Sequence, residues 1–149
     1  MIYLGADHGG FDLKEKIKKW LTEWGYQWED LGNKEYKEND DYPQYAFSVA
    51  SKVAENGGAR GVLICRSAVG MVIAANKVKG TKAVACYDAG MARLSREHND
   101  TNILALSADL SDEEQVKEIL KTWLTMEFSG EERHVRRLEQ IEKFEGIGE

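Results

Sequence analysis

The stretch LICRSAVGMVIAANK, residues 63 to 77, places a cysteine where chemistry could use one. An apolar run ends in Cys65, and a turn of small residues, Ser67, Ala68 and Gly70, leads into the next apolar segment. Successive amide N–H groups in such a turn, running into a helix N-terminus, form a concave anion site. That positive environment favours a thiolate over a thiol. A thiolate beside an anion hole is equipped to remove a proton next to a carbonyl and to hold the resulting enediolate. The alternative is inert packing at the end of a buried strand, which is the expectation for the second cysteine, Cys86.

Three further groups have suitable types and spacing. Asp7 and His8 follow the first apolar run directly, and Gly9 and Gly10 let the backbone turn tightly after them. Such a pair can orient a sugar hydroxyl and move a proton near neutral pH, or Asp7 can simply cap a helix. His98 and Asn99 sit in SREHNDTN, between a helical pattern and the last apolar run, where a cationic ring also suits a helix C-terminus. Arg133 and Arg137 lie four apart, hence on one helix face, with His134 beside them. Two guanidinium forks on one face can grip a phosphate, although a solvated helix with Glu–Arg pairs gives the same spacing. The three histidines show no metal-ligand spacing with one another or with cysteine, so no metal site is expected. Neither G-x-G-x-x-G nor G-x-x-x-x-G-K occurs, so no nucleotide cofactor is expected.

The elements that position these residues alternate in period. IYLGA (2–6), GVLIC (61–65), KAVAC (82–86) and NILAL (102–106) are apolar at nearly every residue, as in strands buried on both faces of a parallel sheet. YQWEDL (26–31) alternates more and is expected nearer an edge. Leu13, Ile17, Trp20, Leu21 and Trp24 form one helical stripe, and Val116, Ile119, Leu120, Trp123 and Leu124 another. Ser111 to Glu114 reads S-x-x-E, a cap for that second helix, and Pro43 suits a helix's first turn. Strand and helix in alternation predict one α/β domain over residues 1–149, a doubly wound, Rossmann-like sheet of five parallel strands with helices on both faces. A charged tail helix, about 131–145, has too few apolar positions for a core element and is expected to pack on a neighbour or a second subunit. Ligands in such folds gather where strands end and loops lead into helices. The candidate loops are therefore DHGGF, CRSAVG, CYDAG and SADLSD.

With 149 residues, 42% hydrophobic, the chain can build one substantial core. A net charge of -6 without a basic block disfavours nucleic acid as a partner. No apolar run reaches membrane-spanning length, and a first strand at Ile2 leaves no room for a signal peptide. Two cysteines suggest a reduced, cytoplasmic protein.

Taken together, GADHGGFDLKEKI, DYPQYA, GVLIC, IAANK, LSREHNDTNILAL and RHVRRLEQI resemble the ribose-5-phosphate isomerase type B family, which also contains galactose-6-phosphate isomerase subunits. The resemblance runs from residue 1 to about 144. It implies a metal-free, cofactor-free aldose–ketose isomerase that interconverts ribose 5-phosphate and ribulose 5-phosphate through an enediolate. Cys65 matches the base, His98 the residue of ring opening, and Asp7 and His8 the holders of sugar hydroxyls near the ring oxygen or phosphate. Asn99 matches a sugar ligand, and Arg133 and Arg137 match phosphate ligands. The candidate catalytic set is Cys65, His98, Ser67 and Asp7. Substrate binding is expected from Asp7, His8, Arg66, Ser67, Ala68, Val69, Gly70, Asn99, Arg133, His134 and Arg137. The family forms homodimers, or dimers of dimers, with sites shared between subunits.

Two departures fall in the site. Where the family reads Gly-Ser/Thr-Gly-x-Gly after the cysteine, this chain has Arg66, Ser67, Ala68, Val69 and Gly70. Where it carries Gly-x-Arg after the last strand, this chain has Ser107, Ala108 and Asp109. Arg66 could replace the lost cation, could pair with Asp109 over a shifted substrate, or could mark a site that binds without turnover.

Overall fold

The computed structural model describes residues 1–146; the last three residues of the predicted 1–149 unit lie outside it. The chain runs β1 (Ile2–Ala6), a 3-10 turn (His8–Gly10), α1 (Phe11–Glu23), β2 (Trp28–Asp30), α2 (Tyr42–Glu55), β3 (Arg60–Cys65) and α3 (Val69–Ala75). It continues through β4 (Ala83–Ala85), α4 (Ala89–Asn99), β5 (Ile103–Ser107), α5 (Glu113–Thr125) and α6 (Glu132–Glu145). All five strands are parallel, in the order β2-β1-β3-β5-β4. The doubly wound α/β fold read from the sequence is the fold observed. Among the described residues, no helix is long and apolar enough to cross a membrane.

Strand side chains alternate between two cores. Leu4, Val62, Ile64, Leu104 and Leu106 meet Ile17, Trp20 and Leu21 of α1 and the whole stripe Val116, Ile119, Leu120, Trp123 and Leu124 of α5. Tyr3, Leu63, Cys65, Ile103 and Ala105 face Tyr45, Ala46, Val49, Ala50 and Val53 of α2 and Met71, Ala74 and Ala75 of α3. Gly5 lets α2 approach the sheet, since a Cβ there would stand 2.9 Å from Val49 Cγ2.

Two local expectations need correction. β4 was read as buried on both faces, but Ala83, Val84 and Ala85 are only half-buried because β4 forms the sheet's edge. The cap of α5 sits one residue later than the S-x-x-E reading. Asp112 accepts from Gln115 N and the Gln115 side chain returns to Asp112 N, because a carboxylate is the stronger acceptor at a helix N-terminus. Ser111 Oγ is left buried with no partner among the described residues.

Under the β1–α1 side lies a buried ion cluster. Lys14 Nζ bonds Asp30 Oδ1 at 2.8 Å and the carbonyl of Asn33, and Lys18 pairs with the same carboxylate. Burial pushes the Asp30 carboxyl up, but hydrogen bonds from Lys14 and Lys18 outweigh it and hold it below the usual carboxylate range. A depressed folded-state pKa gives stability that is present above the unfolded value and lost as pH falls through the folded one. Unfolding free energy is therefore expected to drop with acid below about pH 4. Asp30→Asn should flatten that limb in urea titrations at several pH values; an unchanged limb would remove Asp30 as its source.

Candidate active site

β1 and β3 are neighbours, and the chain leaves them in opposite directions across the sheet, which makes their carboxyl ends the crevice where doubly wound folds bind ligands. Asp7 follows β1 and Cys65 ends β3, one step beyond the Ala6–Ile64 pair. The turn after β1 lies directly on β3: a Cβ at Gly10 would sit 2.5 Å from the Ile64 carbonyl oxygen. Gly10→Ala is thus expected to cost about 1–3 kcal/mol of stability by forcing strand and turn apart. Urea midpoints at constant slope measure this, and an unmoved midpoint would show that the turn yields freely.

Asp7 is both the cap and the neighbour of the thiol. Its Oδ1 accepts from Gly9 N at 3.0 Å and Gly10 N at 3.3 Å, and burial raises its carboxyl above the usual range despite His8 and those amides. His8 donates its backbone N–H to Asp40 Oδ1 at 2.7 Å, and its Nδ1 lies 2.9 Å from the same oxygen. Asp7, His8 and Asp40 are the described group whose ligand atoms lie close enough for a metal ion, within 4.8 Å of one another. Both oxygens of Asp40 and Oδ1 of Asp7, however, already accept from N–H and O–H donors of the protein.

Cys65 is 5% exposed, and Ala68 N–H donates to its Sγ at 3.1 Å. The amide cradle read from the sequence is present, but its expected effect on the thiol is not. Burial raises the Cys65 pKa, and the amides of Ala68, Met71 and Ser67 offset it only in part. The resting group is the thiol. Cys86 is fully buried and its thiol is pushed up to about 11, in keeping with inert packing.

Of the two positions where this chain replaces a glycine of the family pattern, Ala68 takes a glycine-like backbone and Arg66 does not. Ala68 has φ of 73°, a left-handed conformation that costs an alanine roughly 1 kcal/mol, and its side chain is fully buried. Val69 is exposed, Gly70 lies against the Tyr42 ring, and Tyr87 Oη donates to the Ser67 carbonyl at 2.7 Å. The loop after β5 is laced to it, with Ala108 N donating to Cys65 O at 2.9 Å and Asp109 N to Arg66 O at 3.1 Å. That lacing brings the two departures together: Arg66 Nη1 lies 3.5 Å from Asp109 Oδ2, both side chains being exposed.

The remaining candidates form a second cluster. The His98 and His134 rings stack with centroids 4.3 Å apart. His134 Nδ1 lies 2.8 Å from Ser129 Oγ, and desolvation, then His98 and Arg133, holds its imidazole below the usual range. Arg133 pairs with Glu131 at 3.0 Å, whereas Arg137 has no ion-pair partner among the described residues. Asn99 is exposed beside a groove of about 400 Å3 along β4, lined also by Leu138 and Ile141. α6 packs on α4 and near β4 of its own chain through His134 and Leu138, leaving Phe144 exposed.

The two clusters stand at opposite ends of the sheet. α4 leaves the carboxyl end of β4 and runs back over 11 residues, about 16 Å, so that His98 lies beside the start of β5. Cys65 sits where β3 finishes. Asp40 and Tyr42 had no chemical signal in the sequence beyond the acidic turn and the DYPQYA match, and Tyr87 had only its place in the candidate loop CYDAG.

The family model described as Ribose/Galactose Isomerase matches residues 2–141. The chain belongs to this family. Ribose-5-phosphate isomerase B of Escherichia coli is 43% identical over 144 residues, covering 97% of this chain and 95% of that protein. The crystal structure of ribose-5-phosphate isomerase B from Mycoplasma genitalium with bound ribulose-5-phosphate superposes with a TM-score of 0.94 at 38% identity, covering 97% and 95% of the two chains. Ribose-5-phosphate isomerase B of Clostridium thermocellum gives 0.90 at 42% identity, with 97% of each chain covered.

Proposed function

We propose that the protein is a ribose-5-phosphate isomerase, interconverting ribose 5-phosphate and ribulose 5-phosphate, with Cys65 as the base. The observation that carries this reading is the thiol of Cys65 in its amide cradle beside Asp7, in a family member whose relatives carry that activity in their names. Ring opening exposes the C1 aldehyde; the Cys65 thiolate then takes the C2 proton and returns it to C1. The amides of residues 66–70 hold the enediolate oxygens, and the Ser67 hydroxyl carries the compensating proton between them. Burial keeps the thiolate scarce at rest, so its formation depends on the three amides that point at Sγ.

His98 serves ring opening, Asp7, His8 and Asn99 hold the sugar, and Arg133 and Arg137, with His134, receive the phosphate. Because the His98 cluster lies at the far end of the sheet from Cys65, these roles require a homodimer in which each site draws on both subunits. The exposed Val69, Ile73, Met91 and Leu94 on α3 and α4 offer an apolar surface for it. A cytoplasmic location belongs to the same proposal, supported by two free thiols.

A second reading rests on the Arg66–Asp109 pair, which spans the two altered loops and could select a differently substituted sugar phosphate. Purified protein incubated with ribose 5-phosphate, beside a panel of five- and six-carbon sugar phosphates, tests both. Turnover of ribose 5-phosphate supports the first; turnover of another member alone replaces it by the second; no turnover of any sinks both.

A further inference from the structure

His8 is built into the protein more tightly than a loop histidine needs to be. The Asp40 side chain is 1% exposed, whereas that of His8 is 22% exposed. One oxygen of Asp40 takes both the backbone N–H and Nδ1 of His8, and the other accepts the Tyr45 hydroxyl at 3.0 Å. Burial pushes the Asp40 carboxyl up, but the His8 amide, the His8 ring and Tyr45 together hold it below the usual carboxylate range. It is therefore an anion and can only accept. Nδ1 must then carry the proton, which leaves Nε2 as the ring atom with no protein partner among the described residues.

We propose that Asp40 is a positioning residue that turns His8 into an anion ligand: it fixes Nδ1 as a donor, supplies a buried counter-charge, and so lets Nε2 take up a proton when an anionic substrate oxygen docks. This rests on the sugar-phosphate reading above and adds to it a residue outside the Asp-His pair. The other charged or titratable groups described around the ring are Asp7 on its N-terminal side, Tyr45 across Asp40, and Arg66, whose stem lies against Gly9 while its head pairs with Asp109. Burial raises the Asp7 carboxyl, whereas Asp40 is held low and is the carboxylate that bonds the ring directly.

The tautomer can be read without any variant. Long-range 1H–15N spectra of the native protein, recorded with the imidazole neutral, should show the ring proton on Nδ1; a proton on Nε2 would overturn the assignment. Kinetics supply the second arm. Asp40→Asn is expected to raise the KM for ribose 5-phosphate about tenfold, more than it lowers kcat, as fits the loss of one charge-assisted hydrogen bond. In a His8→Ala background the same change should add less than about twofold, because two residues acting as a unit are not additive. Independent, additive effects would mean that Asp40 only supports the fold, and would overturn the proposal. If the native protein turns over no sugar phosphate, the functional reading fails by itself, and the ring spectra still decide whether Asp40 sets the tautomer.

Discussion

Replacing Cys65 with alanine is expected to lower kcat/KM for ribose 5-phosphate by about 10²- to 10⁴-fold, the contribution of a positioned general base. The fold should survive, since the change removes one sulfur from the core that α2 and α3 share with the sheet. A loss confined to kcat, with KM little moved, would place Cys65 in the transition state and not in ground-state binding. Serine at this position should be nearly as poor, because its hydroxyl ionises far above a thiol and the same burial opposes its charge. An alanine variant that retains more than a few per cent of native turnover would transfer the base to another residue, and the buried, pKa-raised Asp7 would be the first to examine.

Co-expression of Cys65→Ala with His98→Ala should restore activity that neither variant has alone. In a two-fold dimer with shared sites, the hybrid has one site with an intact Cys65 from one subunit and an intact His98 from the other. Its second site lacks both. Random pairing makes half of the dimers hybrid, so the mixture should reach about one quarter of native turnover. If each site lay within one chain, no arrangement of the two variants would contain a whole site, and the mixture would stay inactive. Given the proposed roles of Cys65 and His98, the prediction rests on the course of α4, which carries His98 about 16 Å back from the carboxyl end of the sheet, where Cys65 sits.

Much of this architecture was legible because buried parallel strands and amphipathic helices write different periods. GVLIC and NILAL announced strands, and the α5 stripe was buried at each of its five positions. KAVAC misled because an edge strand packed against α3 has the same composition as a central one. At the site, residue types and loop positions were readable, but contacts made by folding were not. Asp40 lies 32 residues from His8, and nothing local marks it as the ring's partner. The thiolate expectation failed for a related reason: sequence showed the amides that stabilise the charge, while the burial that opposes it depends on α2 and α3 closing over the strand end. Arg66 is the clearest gain, since its spacing could not say whether it faced substrate or solvent, whereas the lacing of two loops sets it opposite Asp109.

The protonated state of Cys65 has a meaning outside catalysis. Oxidants and alkylating agents react with the thiolate, and a sulfur that is 5% exposed and held as the thiol offers them little of it. In its proposed role as the base, Cys65 stored in this form is chemically durable, shielded from peroxide between turnovers. The second cysteine, deeper and with its thiol pushed up to about 11, is shielded in the same way, so neither sulfur is a ready handle for redox control.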